Sequence, residues 1–488
     1  MALGSSRRGS IPAHQAGALG GRRRRPGAHP GRTMTRPLTR ALLVGFIAAA
    51  VLAALAASAN AQPTVRSDAV TAWNENAGEA MTGPTCLSPT NDPVHESRVY
   101  AVMHVAIHDA LNAIDRRSRP YALATQRELP GASPDAAVAA AARDVLVTLL
   151  EQLPGDFKAG CAAGVASVEA DYAAALAAIP DGTAKNQGVY LGRAAAAVIL
   201  AIRAGDGSDD VPLADPGYPQ GTRPGEWRFT PGFPFAFLPR WGEVTPFVLR
   251  DSSQFRPGPP YAVTGRRYAA DFNEVKDLGG DGIPGGTPSA RTAEQTEIAR
   301  FWVETSPLQW NRIARTVSAD RGLDLWENAR LFGLLNIALA DGYIGTFETK
   351  YHYNYWRPVT AIRAADTDGN PKTSADPTWT PLVPTPPIPD YDSGHSVEGG
   401  AAAQVLTRFF GTDRISFETC SLTLLPGSRC GDGSPVLRSY TSFSQAREEN
   451  GVSRILVGFH FRKAVDEGIK HGRKIGNRAV DRFLRPAN

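Results

Sequence analysis

From Val94 to Ala204 the chain is alanine-rich and repeats its apolar residues at helical intervals. It is punctuated at Pro120, Pro130 to Pro134, Pro154-Gly155 and Pro180-Asp181-Gly182. Alanine-dominated periodic stretches bounded by Pro and Gly read as helices, so about four are expected here. Helical character returns from Thr292 to Ile313 and strengthens from Leu323 to Ala365. A proline-rich loop follows, then a helix from about Ser393 to Phe410 and two more within Ser442 to Leu484. The expected fold class is therefore all-α: two helical bundles with long irregular Pro/Gly-rich connecting segments.

Between these halves the composition changes. Residues 205–286 are rich in Pro and Gly, with one short helix expected near Ala269 to Asp277. Trp227, Phe229, Phe233, Phe235, Phe237 and Trp241 are too many large rings for a solvated tether, so the segment should pack onto the helical body. The domain reading is an N-terminal extension and signal peptide over 1–61 and a first helical bundle over 62–204. A covering segment over 205–291 and a second bundle over 292–488 complete it.

The start of the chain reads as an export signal: Met34 to Arg40 is basic, Ala41 to Ala57 is apolar, and Ala59-Asn60-Ala61 has the small-x-small pattern of a cleavage site. A secreted or periplasmic protein without stable membrane insertion is expected. Residues 1–61 also carry nine arginines and no acidic residue, so removing them turns the formal charge of +4 into −5. A mildly acidic body offers little to a phosphate backbone, and nucleic acid is not an expected partner. Cys86, Cys161, Cys420 and Cys430 form an even set without C-x-x-C spacing, which favours two disulfides over a metal site. Cys420 with Cys430 would close a short loop and leave Cys86 for Cys161, although four cysteines allow three connectivities.

Two motifs resemble metal sites and lack part of the chemistry. His104 and His108, four apart on one helix, have no H-E-x-x-H glutamate, so hydrogen bonding between helices is the better reading. Asp366-Thr367-Asp368-Gly369-Asn370 opens like a calcium loop, but Pro371 replaces the required glycine and no glutamate closes it; a plain turn is expected.

Cationic and donor side chains concentrate in three segments of the last third. In the first, Lys350 and Arg357 are seven apart, two helical turns, which predicts one shared face and a break at Pro358. Tyr353, Tyr355 and Trp356 beside them argue for burial, and two like charges on one stripe call for an anion between them. In the second, Ser393 and Gly394 open a helix, where backbone N–H groups and the positive dipole end suit an anion, and His395 stands over it. In the third, Arg454 offers a guanidinium fork for a tetrahedral oxyanion. His460 follows in an apolar run where a charged imidazole is costly, and six residues do not put the two on one stripe.

The order K-x6-R-P, S-G-H and S-R-x5-H resembles the signature shared by vanadium-dependent haloperoxidases and type 2 phosphatidic acid phosphatases. The stretches His104 to Asp115, Leu238 to Phe247 and Tyr353 to Arg363 look like bacterial haloperoxidase-like proteins, so the resemblance covers most of the mature chain. It implies orthovanadate as cofactor, with no haem or nucleotide. His460 would be the axial metal ligand, and Lys350, Arg357, Ser393, Gly394 and Arg454 would hold the equatorial oxygens. The implied catalytic residues are His395 as acid-base, Lys350 as polariser and His460. Halide would be oxidised by hydrogen peroxide through a peroxovanadate, with a small organic molecule as final substrate. A phosphatase would use His460 as nucleophile and His395 as general acid in the same pocket, and a non-catalytic anion-binding relative is a further alternative.

Two positions depart from the pattern. Asp392 stands where the family usually has proline, which predicts an anion near the loop and a raised His395 pKa. Ala464, four after His460, stands where an orienting aspartate is common, which predicts a weaker nucleophile and tilts the reading toward the peroxidase. Ile388 takes a position that is histidine in the resembling bromoperoxidases and aromatic in the chloroperoxidase type, and Phe347 takes an aromatic slot near the pocket.

Overall fold

The computed structural model describes residues 68–125 and 128–487. The export signal read from the sequence lies outside them. Fourteen α-helices make up the described chain: α1 (Ala69–Met81), α2 (Pro93–Asn112), α3 (Pro134–Glu151), α4 (Asp156–Gly160), α5 (Ala162–Ala177), α6 (Thr183–Arg203), α7 (Arg266–Gly279), α8 (Ala293–Phe301), α9 (Ser306–Arg321), α10 (Leu325–Tyr353), α11 (Pro358–Arg363), α12 (Gly394–Phe410), α13 (Phe443–Leu456) and α14 (Arg462–Arg482). Sheet among the described residues is limited to two antiparallel pairs, Ala214–Asp215 with Ala236–Phe237 and Phe417–Thr419 with Arg438–Tyr440. The protein is all-α, as the periodicity predicts.

The helices start and stop where the sequence has caps. Asp92 accepts from the backbone N–H of Val94 and His95 at 3.0 and 3.1 Å, with Pro93 at the first helical position, so α2 starts there. Asp324 and Glu327 form a reciprocal capping box that opens α10. Five helices rather than four occupy the alanine-rich first stretch, because Gly155 at φ 58° and Cys161 fence off the single-turn α4.

The 29-residue α10 is the axis of the molecule and packs against both α2 and α12. One apolar core runs from Val70 in α1 to Leu484 after α14. Small residues set the tightest crossings. A Cβ at Gly192 would sit 2.3 Å from the Ala137 carbonyl oxygen, and one at Gly472 would sit 1.8 Å from that of Val397, so α3–α6 and α12–α14 meet backbone to backbone.

Disulfides Cys86–Cys161 and Cys420–Cys430 are present, the first tying the segment after α1 to the start of α5. His104 bonds Asn74 of α1 at 2.8 Å, the expected contact between helices, whereas His108, expected to do the same, bonds Asp109 and Asn112 of its own helix and Ser118 of the turn after it. Asp368 closes a local turn by accepting from the Asn370 N–H and the Thr373 hydroxyl. The aromatic segment does pack inward: Trp227 and Trp241 are buried. Asp341 of α10 pins this segment by accepting backbone N–H bonds from Phe247, Val248 and Leu249 at 2.6 to 2.7 Å. No helix among the described residues is long and apolar enough to cross a membrane.

Candidate oxyanion site

A cavity of about 440 Å³ opens where α10, α12, the end of α13 and the Pro-rich loop meet, and its wall includes Lys350, Arg357, Gly394, His395, Arg454 and His460. Three stretches more than a hundred residues apart at the extremes thus converge on one hollow. Lys350, Arg357 and Arg454 are each at most 1% exposed.

Local backbone explains how each arrives. Lys350 lies in the last turn of α10, but Arg357 does not share its helix. Asn354 adopts a left-handed conformation at φ 47° and ends α10 by donating its N–H to the Lys350 carbonyl. Arg357, preceding Pro358, is extended and caps α11. The shared helical face expected from the seven-residue spacing is therefore corrected: the two cations stand on either side of the break between α10 and α11. The Arg454–His460 pairing has a similar origin. α13 ends at Leu456, and Gly458 at φ 86° turns the chain so that the backbone N–H of both Phe459 and His460 reaches the Arg454 carbonyl. A side chain at Gly458 would also collide with Gly279 and Pro381.

Carbonyl groups hold the cations in place. Lys350 Nζ donates to the Pro389 and Asp390 carbonyls, both at 3.0 Å. Arg357 Nε donates to the Ile388 carbonyl at 2.7 Å and its Nη1 to that of Phe459 at 3.0 Å. Arg454 Nε donates to the Ser453 hydroxyl and its Nη2 to the Trp302 carbonyl. Among the described residues, none of the three makes an ion pair with a carboxylate. Burial pushes all three down, and repulsion from Arg357 adds to it at Lys350 and Arg454: the Lys350 ammonium lies well below its usual pKa, Arg357 falls to about 10 and Arg454 to about 9. A bound oxyanion would reverse these shifts, because opposite charge favours the cationic forms.

His460 Nδ1 lies 2.9 Å from Asp390 Oδ1, and Arg357 Nη1 donates to Nε2 at 3.0 Å. A carboxylate on Nδ1 fixes the proton there and makes Nε2 the acceptor, which in this structure takes the Arg357 N–H. Burial and the three cations hold this imidazole neutral, well below its usual pKa. The orienting aspartate is thus present, from the Pro-rich loop rather than from four residues downstream. The weakened histidine expected from Ala464 does not follow, since one-dimensional spacing missed a carboxylate seventy residues upstream. The only sequence hint was Asp390 itself, adjacent to the Asp-Ser-Gly-His stretch.

His395 is partly exposed, and its Nε2 lies 3.1 Å from the Glu304 carbonyl. Burial, then Arg454, pushes its pKa well down. The increase expected from Asp392 is corrected for a geometric reason. The Asp392 carboxylate points away into the core, taking the Thr346 hydroxyl at 2.7 Å and His471 Nδ1 at 2.9 Å.

Gly394 lines the cavity at the start of α12. Ser393 is fully buried behind it: its N–H donates to the Ala464 carbonyl, and its hydroxyl oxygen accepts from Ser396. Its backbone donor is thus committed within the protein, and only the hydroxyl proton remains to donate. Phe347 and Ile388 both belong to the cavity wall.

Residues 330–488 match the family of the VCPO second helical-bundle domain. A vanadium chloroperoxidase from Curvularia inaequalis is 25% identical over an alignment of 289 residues; the match covers 48% of this chain and 47% of that relative, about half the length of that protein. Among solved structures, the first bacterial vanadium-dependent iodoperoxidase superposes with a TM-score of 0.68 at 25% identity, covering 86% of this chain and 97% of the other. A holo-type bacterial vanadium-dependent chloroperoxidase gives a TM-score of 0.62 at 20% identity over 86% of this chain and 95% of the other, a likeness of fold. Residues 330–488 thus belong to that helical-bundle family, and the chain as a whole is similar to vanadium-dependent haloperoxidases.

Proposed function

We propose that the protein is an exported vanadium-dependent haloperoxidase that converts halide, hydrogen peroxide and a proton into hypohalous acid and water. One observation carries this reading: three buried cations, with no carboxylate paired to any of them among the described residues, share a cavity wall with a neutral histidine whose Nδ1 is held by Asp390. Uncompensated buried cations are costly, and a multiply charged oxyanion is the group that offsets them. The donor set therefore fits vanadate, which, when bound, supplies a Lewis-acid centre for peroxide without itself changing oxidation state.

In this reading Lys350, Arg357 and Arg454 neutralise the oxyanion, and Gly394 adds the positive end of α12. The Ser393 hydroxyl donates an additional hydrogen bond. His460 would hold the group through Nε2, with Asp390 fixing the tautomer. With its Nε2–H turned to the Glu304 carbonyl, His395 has its lone pair at Nδ1, and there it accepts a proton from incoming peroxide and later returns one.

The test is bromination of monochlorodimedone by the purified protein with peroxide and bromide, with and without added vanadate. Vanadate-dependent bromination is expected; its absence together with phosphate release would overturn the reading. The phosphatase alternative has one observation in its favour, the His460–Asp390 pair, which would also serve a nucleophilic histidine. It predicts phosphate release from p-nitrophenyl phosphate without peroxide, inhibited by vanadate.

A further inference from the structure

The cavity is far larger than one tetrahedral oxyanion needs and falls in the range that encloses a small organic molecule. Its remaining wall is strongly one-sided in chemistry. Phe233, Phe235 and Phe237 recur two apart, around a bend that leads into a two-residue strand, and all reach the cavity. Pro386 and Pro387 add further apolar surface, and no Asp or Glu among the described residues lines it.

This wall is fixed in place rather than draped. The Phe237 N–H donates to the Pro387 carbonyl at 3.0 Å, the Thr230 hydroxyl to that of Pro386 at 3.1 Å, and the Tyr351 hydroxyl to that of Phe237 at 2.6 Å. Phe233 and Phe235 stack edge to face, ring centroids 6.0 Å apart, yet both stay only half-buried. A built aromatic edge left partly open above a cationic floor has the form of a subsite for a flat apolar ligand.

Resting on the haloperoxidase reading for its chemistry, we propose that Phe233, Phe235 and Phe237 form an acceptor subsite for an electron-rich aromatic compound, which is halogenated inside the cavity rather than by released hypohalous acid. The balance is ArH + X⁻ + H2O2 + H⁺ → ArX + 2 H2O. The halide gives two electrons to the peroxide O–O bond, a C–X bond forms, and the ring C–H bond breaks with release of its proton.

Binding and turnover test this separately. 2-Naphthol titrated into the vanadate-loaded full chain, followed by its fluorescence, should bind about 10-fold more weakly to Phe233→Ala and Phe235→Ala. Phe233→Leu, which keeps an apolar side chain and guards against a folding artefact, should retain most of the affinity. In turnover, kcat/KM for 2-naphthol bromination should fall by about 10-fold in the alanine variants, while bromination of hydrophilic taurine stays within about twofold. Unchanged naphthol affinity in all variants, or equal losses for both acceptors, overturns the subsite. Should neither acceptor be brominated by the parent protein while the binding series behaves as stated, the subsite stands and the haloperoxidase reading falls.

Discussion

The two bundles each bury a histidine against an aspartate at the same distance. In the first, His108 Nδ1 lies 2.9 Å from Asp109 Oδ1; in the second, His460 Nδ1 lies 2.9 Å from Asp390 Oδ1. The difference lies in what surrounds each pair. His108 Nε2 meets the Ser118 hydroxyl at 2.7 Å, and Asp109 accepts backbone N–H bonds from Tyr121, Ala122 and Leu123, so every strong polar group is satisfied within the protein. His460 Nε2 meets a cation beside a cavity, and Asp390 Oδ2 has no hydrogen-bond partner among the described residues. A buried histidine–carboxylate pair is thus a structural joint where its network closes, and a candidate site where the network is left open toward a hollow.

The sharpest way to break this comparison is to remove each histidine. His460→Ala should abolish vanadate binding, measured by equilibrium dialysis, and with it the rise in Tm that saturating vanadate gives the parent protein. His108→Ala should leave vanadate binding intact and destabilise the fold by about 2 kcal/mol, since Ser118 and Asp109 lose a buried partner. Equal vanadate affinity in both variants would erase the distinction.

Covalent ties should also divide the halves. Cys86 and Cys161 close a loop with a sequence separation of 75, whereas Cys420 and Cys430 are separated by only 10. On chain entropy, replacing the first pair by serine should cost about 4 kcal/mol and the second under about 3 kcal/mol, read from urea unfolding. The reverse ranking would contradict the entropic account.

Orientation of His460 is the next test in size. Asp390→Asn should weaken vanadate affinity by about 10- to 100-fold. Asp466→Asn, closer in sequence but outside this contact, should change it little. The smallest effect is expected at the helix crossings. Gly192→Ala and Gly472→Ala force a methyl onto a carbonyl oxygen, costing about 2 kcal/mol, offset by about 1 kcal/mol of helix propensity. A net loss near 1 kcal/mol in both, seen as a lower Tm, would show that the bundles share one packing rule and differ only in polar closure.

Much of the fold was legible because it is local. Proline at first helical positions, Asp92 and Asp324 as caps, and alanine periodicity all act within a few residues. The helix from Ser393 to Phe410 and the two after Ser442 correspond to α12, α13 and α14. Six of the residues singled out in the sequence, Lys350, Arg357, Gly394, His395, Arg454 and His460, do share the cavity wall, because cations and histidines stand out as chemistry, whereas Ser393 lies behind it. The shared face of Lys350 and Arg357 was misread, since a left-handed Asn354 is invisible to a spacing argument.

By itself, the sequence determined which side chains carry charge and which stretches are helical, for both depend on residue type and near neighbours. Tertiary structure alone decided that Asp390 rather than a downstream aspartate orients His460, that Asp392 faces His471, and that three phenylalanines share the cavity with the cations. These contacts join residues dozens to more than two hundred positions apart, and only the packing of α10, α12 and α14 with the loops between them brings such partners within hydrogen-bonding range.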